Sequence, residues 1–202
     1  MVSFNATPQP LYLLEPTMLK HWSVQEYHRM SELGLLDPNE RTELIHGQIT
    51  LMVAKGTTHV LALRSMSRLF DALLANEAAF VSTQDPIQLD DFSEPEPDLA
   101  IVQGNFWDYA EQHPRSDQVH LIVEIADSTL KRDCEIKDKI YSQAGIADYW
   151  VLDVKNRQLH IFRNPTPMGY TQQIILNELD RVSPLVFPNL KIALTSILPP
   201  KP

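Results

Sequence analysis

The apolar positions change their period several times along the chain, and each change marks an element. Ser23-Val-Gln-Glu26 has the form of a capping box, so a short helix opens there and ends near Gly34. Thr42–Ile45 and Gln48–Val53 flank His46-Gly47, the pattern of a hairpin. Between Thr57 and Glu77 the residues Leu63, Met66, Leu69, Phe70, Leu73 and Leu74 share one face at helical spacing, which predicts a long helix on a sheet. Short β-rich runs follow at Ala79–Thr83, Ile87–Leu89 and Asp98–Val102. The last two are separated by an acidic, proline-containing loop from Asp90 to Pro97. Val119–Ala126 is apolar almost without interruption, as a strand covered on both faces should be. A helix is expected from Thr129 to Ala144 with Gly145 as its left-handed cap, then strands at Asp148–Asp153, Gln158–Arg163 and Tyr170–Leu176. The tail after Ser183 is proline-rich and partly irregular. Together these predict an α/β or α+β fold, a mixed sheet flanked by helices, centred between Asp98 and Asp153. Residues 1–16, with Pro8, Pro10 and Pro16, read as an extended arm. A single domain is expected over residues 17–198, with 199–202 as a tail.

A length of 202 residues suits one core better than two, and 44% hydrophobic with 21% charged residues excludes a disordered chain. With 17 basic and 26 acidic residues the net charge is −9, which argues against coating nucleic acid through a broad basic face. An enzyme that meets a phosphate backbone locally stays open, with Lys131, Arg132, Lys139, Lys155 and Arg157 as the local cations. One cysteine, Cys134, allows no intrachain disulfide, and no clustered Cys/His zinc pattern is present, so a reducing compartment is expected. The N-terminal residues carry no basic residue before Lys20 and no continuous apolar stretch. No apolar run reaches the ~18 residues of a membrane span, and a cytoplasmic protein is expected.

Glu124 interrupts the most apolar strand, where a lone ionised carboxylate is costly. It is either paired or at the strand's wet end, or it is a metal ligand. Asp98 opens another strand at the mouth of the acidic loop, and two carboxylates brought together would suit a hard divalent cation such as magnesium or manganese. On the helix that follows Glu124, Cys134, Lys137, Tyr141 and Ala144 all fall within about 40° of Leu130, whereas Lys139 falls about 180° away. Lys137 is therefore turned inward, where it snorkels, pairs with Asp133 four residues earlier, or meets buried carboxylates. His59 shares the inward face of the long helix, which points it toward the sheet as a packed core histidine. Cys134 reads as a small apolar filler, and Ser128 and Thr129 as helix caps. Tyr149 and Trp150 face opposite sides of their strand, at least one in the core and the other free to line a subunit interface.

The segments Glu43-Leu-Ile-His-Gly47, Glu96-Pro-Asp98-Leu-Ala-Ile-Val102, Val123-Glu124-Ile-Ala-Asp-Ser-Thr129 and Lys137-Asp-Lys-Ile-Tyr141, continuing to Tyr149-Trp150-Val-Leu-Asp153, resemble the Uma family of restriction-endonuclease-like proteins over roughly Ser23 to Arg163. The resemblance implies the PD-(D/E)XK nuclease fold and a magnesium- or manganese-dependent DNA endonuclease. Asp98, Glu124 and the Ile125 carbonyl would then be metal ligands, and Glu43 would be an added acidic residue on a second metal or a metal-bound water. Lys137 would orient the attacking water or offset phosphoryl charge. Glu43 could equally be a structural charge of the hairpin. The place two residues after Glu124 is Ala126 rather than the usual lysine, and Lys137 is the family-matching one. Supporting roles fall to His59, Gln84 and Tyr141. A homodimer would suit the cutting of both strands of a duplex. The alternative is a nuclease-fold protein whose chemistry has decayed and which serves as a binding or scaffold module, and hydrolysis of RNA or another phosphodiester is a third possibility.

Overall fold

The structure, a computed structural model, describes residues 19–201; the arm expected at residues 1–16 lies outside them. Helix α1 (Val24–Glu32) begins as its sequence requires: the Glu26 amide donates to Ser23 Oγ at 3.2 Å and the Ser23 amide donates to the Glu26 carboxylate at 2.9 Å. Strands β1 (Thr42–Ile45) and β2 (Gln48–Leu51) form the expected hairpin. Its turn residues His46 and Gly47 have φ of 48° and 74°, the sign a tight hairpin of this twist needs. Gly47 is required for a second reason, because a Cβ there would lie 2.7 Å from the His21 Cβ.

Helix α2 (Thr57–Leu73) is followed by β3 (Ala79–Ser82), β4 (Leu99–Gln103) and β5 (Val119–Ala126). The chain then crosses over through α3 (Leu130–Arg132), one π turn (Asp133–Lys137) and α4 (Asp138–Gln143) to β6 (Asp148–Asp153), β7 (Gln158–Thr166) and β8 (Gly169–Asn177). Six strands lie in the order β3-β4-β5-β6-β7-β8, all neighbours antiparallel except β5 and β6. A parallel pair cannot be joined by a tight turn, so the segment from α3 to α4 must travel back along the sheet, and it covers one face. Helix α2 covers the other. A small pair, β9 (Arg181–Val182) with β10 (Ile192–Ala193), closes the end of the chain.

Alternation along β5 sorts its side chains between two cores. Leu121, Val123 and Ile125 pack with Met66, Phe70 and Trp150 under α2, while Ile122 and Ala126 pack with Ile140, Tyr141 and Tyr149 under α4. Glu124 has the parity of Ile122 and Ala126 and so faces the crossover helix. Tyr149 and Trp150 do face opposite sides, but both are fully buried, so neither is left over for a subunit interface.

Five expectations need correction. Ile87–Leu89 is no strand: Gln88 makes a single bridge with Arg115, and the Ile87 and Leu89 amides donate to Pro95 and Ser93 in the loop folded back on them. Strand β4 starts at Leu99, one residue after Asp98, and β7 runs on to Thr166 because β8 continues to pair with it beyond the end of β6. The long crossover helix is broken by its π turn, whose wider hydrogen-bond spacing removes the stacking of residues four apart, so no ion pair forms between Asp133 and Lys137. Thr129 stands at the helix start without a capping bond, and its hydroxyl donates to Asp133 Oδ2 at 2.5 Å instead.

Candidate active site

The end of β5, the start of β4, the hairpin β1–β2 and the N-terminal end of α2 surround a small cleft of about 80 Å³. Glu43, Lys55, Asp98, Glu124, Arg132 and Lys137 all line it, with His59 and Ile125. Four residues far apart in sequence, Glu43, Asp98, Glu124 and Lys137, are thus brought to one place, and each is buried.

Asp98 is held from several sides. Its Oδ2 accepts the Ile125 amide at 2.9 Å and His59 Nε2 at 2.9 Å, while Gln84 Nε2 and Lys55 Nζ lie 3.4 Å from Oδ1. Burial alone would push this carboxyl up, but the His59 and Ile125 hydrogen bonds and the Lys55 charge outweigh it and hold Asp98 below its ordinary value. Gln84 reaches Asp98 from a left-handed backbone with φ of 61°, and its own amide donates to the Asp98 carbonyl at 3.2 Å. A non-glycine residue in that region is held by its surroundings.

Glu124 shows the opposite balance. Lys137 Nζ donates to its Oε1 at 2.7 Å and the Tyr141 hydroxyl donates to the same oxygen at 2.8 Å. Burial nevertheless dominates, and the carboxyl is pushed up to about 8. Burial works against the Lys137 ammonium, yet Glu124 and Glu43, whose Oε2 is 3.7 Å away, keep it charged with its pKa raised. Tyr141 is raised well above 10, first by burial, and so remains a donor.

Glu43, on β1, is fixed by Arg132 Nη2 at 2.5 Å and by the Glu96 amide at 3.3 Å, and Glu96 pairs in turn with Arg41. The hairpin is therefore tied both to the crossover segment and to the loop that leads into Asp98. Arg132 serves this cleft, whereas Arg157, another local cation, is turned away to Glu178 and the Pro199 carbonyl. Lys139 and Lys155 are exposed. The Cys134 thiol is pushed up to about 12, first by burial and then by the acids around it, so it is no nucleophile.

Sequence reasoning missed Lys55, whose ammonium is buried beside Asp98 without a hydrogen bond and is held below its ordinary value chiefly by burial. The available signal was Lys55-Gly56 just before the long helix. A Cβ at Gly56 would lie 3.1 Å from Asp127 Oδ2, so glycine lets the start of α2 approach the end of β5. Asp133 was missed as a cleft residue; it is buried, and its carboxyl is raised by that burial.

Among the described residues the hydrogen bonds on Glu124 fall on Oε1, and the close ones on Asp98 fall on Oδ2. Each carboxylate thus keeps one less engaged oxygen in a cleft that Ile125 also lines. This hard-oxygen donor set fits magnesium or manganese.

The buried carboxylates and lysine thus converge beside the parallel strand pair of a mixed sheet flanked by helices. The family model of Uma2, described as "Putative restriction endonuclease", matches residues 24–195, and the chain belongs to that family. Among solved structures it is similar to the crystal structure described as a "putative nuclease belonging to DUF820" from Anabaena variabilis ATCC 29413. That likeness has a TM-score of 0.64 at 13% identity over 87% of this chain and 96% of the other, and it shows a shared fold. No curated protein matches the sequence.

Proposed function

We propose that the chain is a magnesium- or manganese-dependent endonuclease that hydrolyses phosphodiester bonds of DNA. The observation that carries this reading is the convergence of Asp98, Glu124, Lys137 and Glu43 in one buried cleft of a Uma2-family chain. Asp98, Glu124 and the Ile125 carbonyl would hold the ion, with Glu43 beside them. The ion, when bound, supplies Lewis-acid polarisation of the phosphate and a water acidic enough to attack phosphorus. The protein's own part is positional. Asp98 stays ionised because His59, Lys55 and the Ile125 amide compensate it, so a donor is ready at neutral pH. Lys137, kept charged by Glu124 and Glu43, places an ammonium where phosphoryl oxygens gain charge. Lys55, charged but without a hydrogen bond, is available to a phosphate oxygen of the incoming strand. The lysine expected at Ala126 is replaced by one arriving from the π turn, so its charge reaches Glu124 from a different element.

Cutting both strands of a duplex calls for two such clefts, and we expect a homodimer on the substrate. No described helix is long and apolar enough to cross a membrane. The test is cleavage of supercoiled and linear DNA by the purified chain in magnesium or manganese, with a chelator control and Glu124→Gln alongside. Metal-dependent nicking that vanishes in the variant is the expected result. Absence of cleavage together with absence of metal binding at the cleft would replace this reading with a non-catalytic binding module.

A further inference from the structure

We propose that His28, Glu94 and His113 form a second divalent-metal site, of zinc-binding chemistry, apart from the catalytic cleft. The three residues come from α1, from the acidic loop and from the segment ahead of the short 3-10 turn Ser116–Gln118, and none of them lines the cleft around Asp98. One ligand atom from each lies within 4.8 Å of the other two. Among the described residues no other group of three histidine, cysteine, aspartate or glutamate side chains is gathered this closely.

Glu94 is the fixed point. Its side chain is only 2% exposed, and its backbone is clamped to β1 by the Glu94 amide donating to Leu44 O at 2.8 Å and the Leu44 amide donating to Glu94 O at 3.4 Å. A carboxylate can accept about four hydrogen bonds, yet its one side-chain partner among the described residues is His28 Nε2 at 2.6 Å. A buried carboxylate so thinly satisfied is costly unless a cation completes it.

The histidines are the adjustable part. His28 is 44% exposed on its helix and His113 is half-buried on its loop, with ring centroids 6.0 Å apart and planes at 77°. Zinc takes its nitrogen and oxygen ligands at about 2.0–2.2 Å, which places donors in a tetrahedral site roughly 3.3 Å from one another. The His28–Glu94 separation of 2.6 Å is shorter than that value and no pair exceeds 4.8 Å, so rotation of two partly exposed imidazoles would bring the donors to it. Two imidazoles with one carboxylate favour zinc over magnesium or calcium, which prefer oxygen alone, and three protein ligands leave a fourth position open. Access is free from two sides, because the cluster stands between cavities of about 770 Å³ and 360 Å³, both lined by all three residues. An ion here would tie α1 and the His113 loop to the strand-like bridge of Glu94, two residues before the Glu96 amide that holds Glu43.

The test separates this site from the cleft by removing the cleft's ligands. Zinc is titrated calorimetrically into the full chain carrying Asp98→Asn and Glu124→Gln, and into the same chain with His113→Ala or His28→Ala added, with cobalt absorption as a second reading of the coordination geometry. One equivalent of zinc is expected in the first chain, with a rise in its thermal midpoint. Each histidine replacement, at an accessible position that does not hold the core, should weaken binding by roughly tenfold or more, since even changes beyond the ligands themselves cost about 10–100-fold. Failure of the first chain to bind zinc while its circular dichroism stays native would leave Glu94 and His28 as a plain ion pair and overturn the proposal. Binding that neither histidine replacement weakens would overturn it as well.

Discussion

Within one cleft, Asp98 and Glu124 are carboxylates of similar burial with opposite protonation tendencies. Asp98 sits just before its strand, within reach of a backbone amide, a histidine and a lysine, and it is held below its ordinary value. Glu124 sits inside its strand, where the neighbouring Ile125 amide is already taken by Asp98, and only Lys137 and Tyr141 reach it; it is pushed up to about 8. The difference teaches that position relative to the strand, more than burial, decides how many donors a carboxylate can collect. Pushing apart the pKa values of two neighbouring acids is also a common way to prepare a site for chemistry near neutral pH.

The strongest way to break the comparison is to remove either acid. Glu124→Gln and Asp98→Asn should each lower metal-dependent DNA cleavage by about a hundredfold or more, measured on supercoiled plasmid. Retention of activity in either variant would remove that acid from the site. Next in size is the buried pair. Lys137→Met takes away the ammonium that Glu124 and Glu43 share, and it should cost about 3–5 kcal/mol of stability in denaturant unfolding above pH 8, where Glu124 is ionised. Most of that loss should be recovered in Lys137→Met combined with Glu124→Gln, and a double variant as unstable as the single would show that Lys137 stabilises by packing alone.

A smaller effect reads the two carboxyls directly through metal-free stability against pH. The native Glu124 holds its proton up to about 8, whereas an unfolded glutamate releases it near its ordinary 4.5. Its contribution is therefore fully present below about 4.5 and declines as pH rises to about 8, and Glu124→Gln should flatten that decline. Asp98 acts with the opposite sign. Its contribution is present above its ordinary 3.8 and is lost as pH falls through its lower native value, so Asp98→Asn should reduce the acid-side loss. Smallest of all, Lys55→Ala should weaken DNA binding with little dependence on sequence and reduce the salt slope of affinity by about 1. An unchanged slope would place Lys55 outside the phosphate path.

Much of this was legible because the relevant signals are local. The capping box at Ser23, the His46-Gly47 turn, the apolar stripe from Leu63 to Leu74 and the unbroken strand from Val119 are each written in a few adjacent residues. Glu124 and Lys137 announced themselves by standing on apolar stripes, where a charge needs a reason. Ile87–Leu89 misled because its amides were claimed by a loop of matching shape, a competition that β propensity does not register.

The chain's own pattern determined the two helical layers, the central strand and the candidacy of Asp98, Glu124 and Lys137, since periodicity and misplaced charge are properties of neighbouring residues; Glu43 entered through the family resemblance. Tertiary structure alone decided that Lys137 chooses Glu124 over Asp133, that Lys55 and Arg132 join the cleft, and that His28 meets Glu94 and His113. Those choices depend on a π turn and on loops from distant segments closing over one another. Electrostatic partnership is set by distances in space, and separation along the chain does not encode them.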